Sequence, residues 1–396
     1  MNLKENFKKG LSKNIIFLGI VSGLTDISSE MLYPIIPIFL TSVLNAPMSV
    51  VGLIEGIAEA TASILKIYGG RLSDKFSKRK PFVVAGYSLS AFAKPLMAFA
   101  FTWHFVLFAR FIDRVGKGIR SSARDALISS STQKEYWGKA FGFHRAMDTF
   151  GAAVGPLFAL LLLNILGDNS YKEIFIIAFI PALLGVAVLL YFVKEAGTQP
   201  ANKAENSVDN ISLGKDFYVF TAIYMVFTLG NSSGAFLILK TKDLGFSVSS
   251  VIFVYFVYNL ISAALSTPAG ILADRFGKIK ALILGMIIFS AVYLGFAINE
   301  NKIGIWILFA VFGFYGALSE GIYKAIISHL SPPEKRATAM GYFQGFMGMF
   351  LFLSSFLAGI IWDKAGKQYP FYFGSLLSLI SAVFLFYWSK RKKFTF

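Results

Sequence analysis

Runs of predominantly apolar residues, each about 20 long, recur from one end of this chain to the other. A run of that length crosses a hydrocarbon core about 30 Å thick. Between polar breaks the runs fall at residues 14–44, 49–69, 81–101, 104–128, 138–163 and 171–193, then at 214–240, 249–270, 279–297, 303–329, 336–361 and 370–389. The first is longer than a straight crossing requires, and Pro34 and Pro37 within it predict a bend. Lipid offers backbone groups no hydrogen-bond partners, so spans of this length must be helical. The expected fold is an all-α polytopic membrane protein with twelve transmembrane helices. Composition agrees: 56% of residues are hydrophobic and only 15% charged, against roughly 25% charged in a soluble domain.

The net charge of +16 raises nucleic acid as a partner, and the placement of the charges answers it. One set of alternate loops holds most of the Lys and Arg, with Arg71, Lys75, Lys78, Arg79 and Lys80 in a single loop. The opposite loops carry Lys172, Lys240, Lys242, Lys302, Lys364 and Lys367. The positive-inside rule then puts both termini in the cytoplasm of a bacterial cytoplasmic (inner) membrane, and no nucleic acid is expected. The basic start of the chain reads as a cytoplasmic tail entering the first span, not as a cleaved signal. The segment "KEAGTQPANKAENSVDNISLGK" has almost nothing to bury and reads as a flexible cytoplasmic linker. It divides the chain into 1–193, a linker at 194–213, and 214–396. There is no cysteine, which rules out disulfides and thiolate metal sites.

Each half repeats one polar phrase between its second and third spans. "GGRLSDKFSK" begins at Gly69 and "AGILADRFGK" at Ala269, so the chain carries an internal duplication of the kind that builds two related bundles. With twelve spans in two sixes, Gly70, Asp74 and Lys75 in one copy and Gly270, Asp274 and Arg275 in the other, the whole chain resembles the major facilitator superfamily. One departure is Ser77, where the pattern has glycine, as Gly277 does in the second copy. The resemblance implies two pseudo-symmetric six-helix bundles, a monomer in the lipid bilayer, and alternating access to a small-molecule site. It also implies that these loops latch the cytoplasmic side shut, with the glycines allowing close helix approach and the aspartates meeting a helix N-terminus. A basic turn that only sets topology is the plainer alternative.

Ionisable residues inside the spans are the most informative feature, because they are costly there unless paired or facing water. At about 1.5 Å per residue, Asp26 lies roughly 18 Å in from Asn14, near mid-membrane. Glu30 follows one turn later on the same face. Glu59, Lys94, Arg114 and Asp148 reach comparable depths, and Arg110 shares a helix face with Arg114. Asp113, Lys117, Arg120, Arg124 and Arg145 add to the charges of the first half, whereas the second half offers mainly Glu320 and Lys324. Proton coupling and a central cavity are therefore expected in the first half, at Asp26, Glu30, Glu59, Lys94, Arg110, Arg114, Arg145 and Asp148. Fixed salt-bridged networks are the alternative, and are preferred for Glu55, Lys66, Arg124 and Asp125 near the membrane faces.

"RFIDRVGKGIRSSARDAL", at residues 110–127, resembles the superfamily's fourth-helix motif, an arginine followed four residues later by glycine. Arg114 with Gly118 has that spacing, while Arg110 fits the preceding residues, so both stay open. "GAAVGP", with Gly151, Gly155 and Pro156, resembles the fifth-helix motif of antiporters, although the later glycine pair is replaced by Ala159 and Leu160. Ordinary small-residue packing is the alternative there. Together with "LIEGIAEATAS", these stretches look like a bacterial efflux-type permease similar to drug:proton antiporters.

No phosphate-binding glycine loop, nucleophile elbow or metal spacing is present in the sequence, so neither an enzyme nor an ATP-driven pump is expected. His104, His144 and His329 are scattered, and no metal or cofactor is expected. The leading expectation is proton-coupled antiport exporting a small amphipathic compound from the cytoplasm. The alternatives are uptake or exchange of an anionic metabolite or metal chelate, and a non-transporting membrane sensor that keeps the fold.

Overall fold

The computed structural model describes residues 11–75, 78–195, 213–319, 322–332 and 335–392. These residues are overwhelmingly helical: α1 (Lys13–Leu32), α2 (Ile35–Ser42), α3 (Met48–Lys75), α4 (Lys80–Ala98), α5 (Trp103–Ser130), α6 (Trp137–Leu166), α7 (Tyr171–Ile177) and α8 (Phe179–Phe192) come first. Then follow α9 (Lys215–Gly230), α10 (Ala235–Asp243), α11 (Val248–Phe276), α12 (Lys278–Ile298), α13 (Lys302–Ser319), α14 (Ile322–Leu330), α15 (Arg336–Ala365) and α16 (Tyr369–Lys392). They fall into the twelve predicted spans. The bend expected in the first span is a break at Tyr33 and Pro34, between α1 and α2, where proline cannot donate to the preceding turn. In the seventh span Asn231, Ser232, Ser233 and Gly234 interrupt the helix between α9 and α10.

Ten of the described segments are long and apolar enough to cross a membrane. The two spans outside that set are α4, which carries Lys80 and Lys94, and α5, which is far more heavily charged. The helix α5 alone carries Arg110, Asp113, Arg114, Lys117, Arg120, Arg124 and Asp125. Apolar side chains elsewhere cover the outside: Phe101, Ile165, Tyr191 and Ile303 are among many that are well exposed, as a lipid-facing surface requires.

Two compact units are present: Met1–Ile36 with Thr61–Val208, and Pro37–Ala60 with Asp209–Phe396. In the first, α1 packs against α6 and α8, while α4 packs against α5 and α8. In the second, the corresponding spans pair in the same way: α9 with α15 and α16, and α12 with α13 and α16. The duplicated sequence thus produces duplicated packing.

Small polar residues stitch these helices together. In the first unit Ser28 donates to the carbonyl of Ala178. In the second, Ser378 donates to Met286 O at 2.7 Å and Ser381 to Ile223 O at 2.8 Å, and the hydroxyls of Ser290 and Ser375 lie 3.0 Å apart. Such interhelical bonds contribute about 0.6 kcal/mol each in a membrane. The aromatic core of the second unit adds stacked rings, with Phe289 and Tyr293 centroids 4.0 Å apart, a contact worth about 1 kcal/mol beyond its area.

The first turns of α3 belong to the second unit, where they lie against α15. The contact is backbone to backbone: a Cβ at Gly52 would stand 2.1 Å from Ser355 O, and one at Gly359 2.3 Å from Met48 O. Only glycine fits either position.

Candidate functional site

A cavity opens within the first unit between α1, α4 and α5. Asp26, Ser29, Glu30, Leu32, Tyr33 and Ile36 line one side of it. The opposite side is lined by Lys94, Met97, Arg110, Asp113, Arg114, Lys117 and Arg120. Helical spacing explains why these residues meet. Asp26, Ser29, Glu30 and Tyr33 recur at three- and four-residue steps on one stripe of α1, and Arg110, Asp113, Arg114, Lys117 and Arg120 do the same on α5.

The α1 stripe is aimed by its packing on α6. A Cβ at Gly151 would stand 2.8 Å from Asp26 Cβ, and one at Gly155 2.8 Å from Glu30 Cβ and 2.7 Å from Ile27 O. The two glycines therefore let α6 press directly behind the two carboxylate-bearing residues. On α5, Gly118 seats against Leu65, its hypothetical Cβ only 2.6 Å from Leu65 Cβ.

Across the cavity the cations are held by a compact network. Lys94 Nζ donates to Ser90 O at 3.0 Å and lies 3.8 Å from Asp113 Oδ1. Arg114 Nε lies 3.8 Å from Asp113 Oδ2. Ser90 Oγ donates to Asp113 O at 3.1 Å and accepts from Arg120 Nη1, and the Arg120 guanidinium sits 4.4 Å above the Tyr87 ring. Lys94, Arg110, Arg114 and Arg120 are all under a tenth exposed. Removing an ion from water costs several kcal/mol even after relaxation, so a wall of this kind is expensive to build. Asp113 touches two of these cations and holds the centre of the wall.

The predicted site residues divide in three. Asp26, Glu30, Lys94, Arg110 and Arg114 come together around this cavity. Asp148 is on α6, where its Oδ2 lies 3.4 Å from His144 Nδ1. Arg145, next in the chain to His144, is exposed, and Glu59 belongs to the second compact unit; none of these three lines the cavity. Asp113, Lys117 and Arg120 do line it without having been singled out. Their signal was the three- and four-residue spacing from Arg110 onward. Glu55, expected to be structural, is buried and accepts from Ser233 Oγ at 3.3 Å.

The repeated loop is partly visible. Gly70, Asp74 and Lys75 end α3 and Asp274 lies near the end of α11, but their side chains are outside the described set, as is Glu320. Arg275 is exposed. Among the described residues, no atom beyond its own stretch of helix lies within 4 Å of a hypothetical Cβ at Gly270.

Comparison with known proteins agrees with this architecture. The profile described as Major Facilitator Superfamily matches residues 18–239 and 218–395. A Methanocaldococcus jannaschii protein named as an uncharacterised MFS-type transporter is 38% identical over 396 residues, covering 98% of each chain. Multidrug resistance protein MdtH of Aeromonas hydrophila is 23% identical over 338 residues, covering 82% of each. Among solved structures, nucleoside transporter NupG superposes with a TM-score of 0.77 at 14% identity, covering 94% of this chain and 99% of that one. Two homologous six-span halves, the doubled loop and a profile match along nearly all the chain lead to one conclusion: this protein belongs to the major facilitator superfamily of transporters.

Proposed function

We propose that this transporter is a proton-coupled secondary active carrier working by alternating access, with Asp26 and Glu30 as its proton-binding groups. One observation carries the reading. Two carboxylates one turn apart face a cavity whose other wall holds buried Lys and Arg, an arrangement in which gaining or losing a proton changes the balance of charge the substrate meets. The carrier acts as a monomer in a cytoplasmic membrane, and its basic loops support an orientation with both termini inside.

The sign of coupling follows from the substrate's charge. A cationic or neutral amphipathic compound competes with the proton for the carboxylates, which gives export by antiport. The similarity to a protein named for multidrug resistance supports that mode. The fifth-helix glycines support it less, because close packing against α1 already accounts for both. The second reading, proton-linked uptake or exchange of an anion, is favoured by the surplus of cations around the cavity.

Inside-out vesicles with an acid interior, a pH-quenched dye and a panel of lipophilic cations, anionic metabolites and metal chelates test the proposal. Compound-dependent proton movement that disappears in Asp26→Asn is expected. Output that survives Asp26→Asn without net flux would mean a sensor, and would overturn the proposal.

A further inference from the structure

We infer that the cavity in the first unit binds a small organic anion, an oxyacid group attached to an apolar body, and that proton and anion occupy it together. The inference rests on the reading of this cavity as the transport site. Five cations and three carboxylates line it. Asp113 lies at 3.8 Å from both Lys94 and Arg114, so its charge is committed within the cationic wall. With every carboxylate ionised the lining still carries a positive surplus, and protonating Asp26 or Glu30 only enlarges it. The cavity is cationic in every protonation state of its acids.

The type of cation narrows the ligand. Three of the five are arginines, whose planar fork matches the paired oxygens of carboxylate, sulfonate or phosphonate groups. Four of the five are buried, where a charge interaction is stronger than in bulk water. The same cavity carries Leu32, Ile36 and Met97, which offer nothing to a bare inorganic ion but cover an apolar body.

Coupling follows from the neighbours of Asp26. Glu30 lies on its own helix, Lys117 and Arg120 line the same cavity from α5, and Asp148 is on α6, which packs against α1. On α6, His144 contacts Asp148, and Arg145 is exposed. The helix α8, also packed on α1, has no charged residue. An ionised Asp26 competes with the ligand for Lys117 and Arg120, and a protonated one releases them. Anion affinity therefore rises as pH falls, so proton and anion favour one another and move in the same direction.

The test uses the purified full chain and thermal unfolding with three isosteres: benzenesulfonate, neutral benzenesulfonamide and cationic phenyltrimethylammonium, with phenylphosphonate and mandelate as further anions. Stabilisation by the anions alone, stronger at lower pH, is expected. Lys117→Gln, at an exposed position, should weaken anion binding about tenfold, the scale of one charge-assisted hydrogen bond, with the unliganded protein unfolding at the wild-type temperature. Lys172→Gln, outside the cavity, should leave it unchanged. Stabilisation by phenyltrimethylammonium equal to that by benzenesulfonate, or by none of the three anions, overturns the inference. So does stabilisation by phosphatidylglycerol alone, which would mark a lipid-headgroup site. Anion binding that keeps its rise at low pH in Asp26→Asn would overturn the coupling assigned here to Asp26, whereas pH-linked anion binding by a wild type that moves no protons would remove the proton-carrier reading alone.

Discussion

The carboxylate of Asp363, near the end of α15, accepts from the backbone N–H of Ser49 at 2.8 Å through Oδ2, and from that of Met48 at 3.0 Å through Oδ1. It caps the first turn of α3 from a point more than 300 residues away in the chain. Helix N-termini leave four N–H groups without intrahelical partners and carry a partial positive charge. Asp363 answers both needs at once, at the end of α3 remote from the repeated loop, and the glycine contacts of Gly52 and Gly359 make room for it.

This cap should be measurable. Asp363→Ala is expected to destabilise the start of α3 by about 1–2 kcal/mol, the usual scale of a lost N-cap, and Asp363→Asn by less, since one acceptor remains. Amide hydrogen exchange at Met48 and Ser49 reads this directly. Both amides should exchange faster in the alanine variant, and unchanged protection would show that the cap contributes nothing.

Gly155 tests how the carboxylate-bearing residues of α1 are positioned. A methyl there would meet Ile27 O at 2.7 Å and Glu30 Cβ at 2.8 Å, so Gly155→Ala must push α6 from α1 at an expected cost of about 1–3 kcal/mol. Thermal unfolding in detergent should show the loss, and substrate-driven proton movement should fall with it. Gly142→Ala is the control, because among the described residues no atom beyond its own stretch of helix lies within 4 Å of a Cβ at that position. Equal stability of the two variants would contradict the packing argument.

Lys94 and Asp113 should behave as a unit. Breaking a buried pair by removing one partner costs about 3–5 kcal/mol, whereas replacing both by apolar groups is often close to neutral. Lys94→Met and Asp113→Leu are each expected to destabilise strongly, and the double variant to recover much of the loss. Additive losses in a double-mutant cycle would show that the 3.8 Å approach is not an energetic coupling.

The spans and the duplication were legible in the sequence because lipid imposes one length and one structure on every crossing. The pairing of Asp26 with Glu30 was legible as well, since a four-residue step places both on one face of a helix. Arg145 shows the limit of depth counting: it lies at the right level of α6, but only His144 and Asp148, four apart, share the inward stripe. Glu59 shows another. Its helix contributes to both compact units, and that division depends on the packing of α3 against α15, which no local pattern encodes. The role of Asp113 at the centre of the cationic wall depends on Lys94 from a different helix, so only the folded chain brings it into view.

The central claim is that a proton on Asp26 is bound to the work of transport. The most direct measurement takes proteoliposomes and a compound that stabilises the purified protein, and compares gradient-driven accumulation with substrate exchange in wild type and Asp26→Asn. The wild type should accumulate the compound when a pH gradient is imposed. The variant should lose that accumulation and still exchange labelled for unlabelled compound across the membrane. A variant that keeps gradient-driven accumulation would contradict the claim.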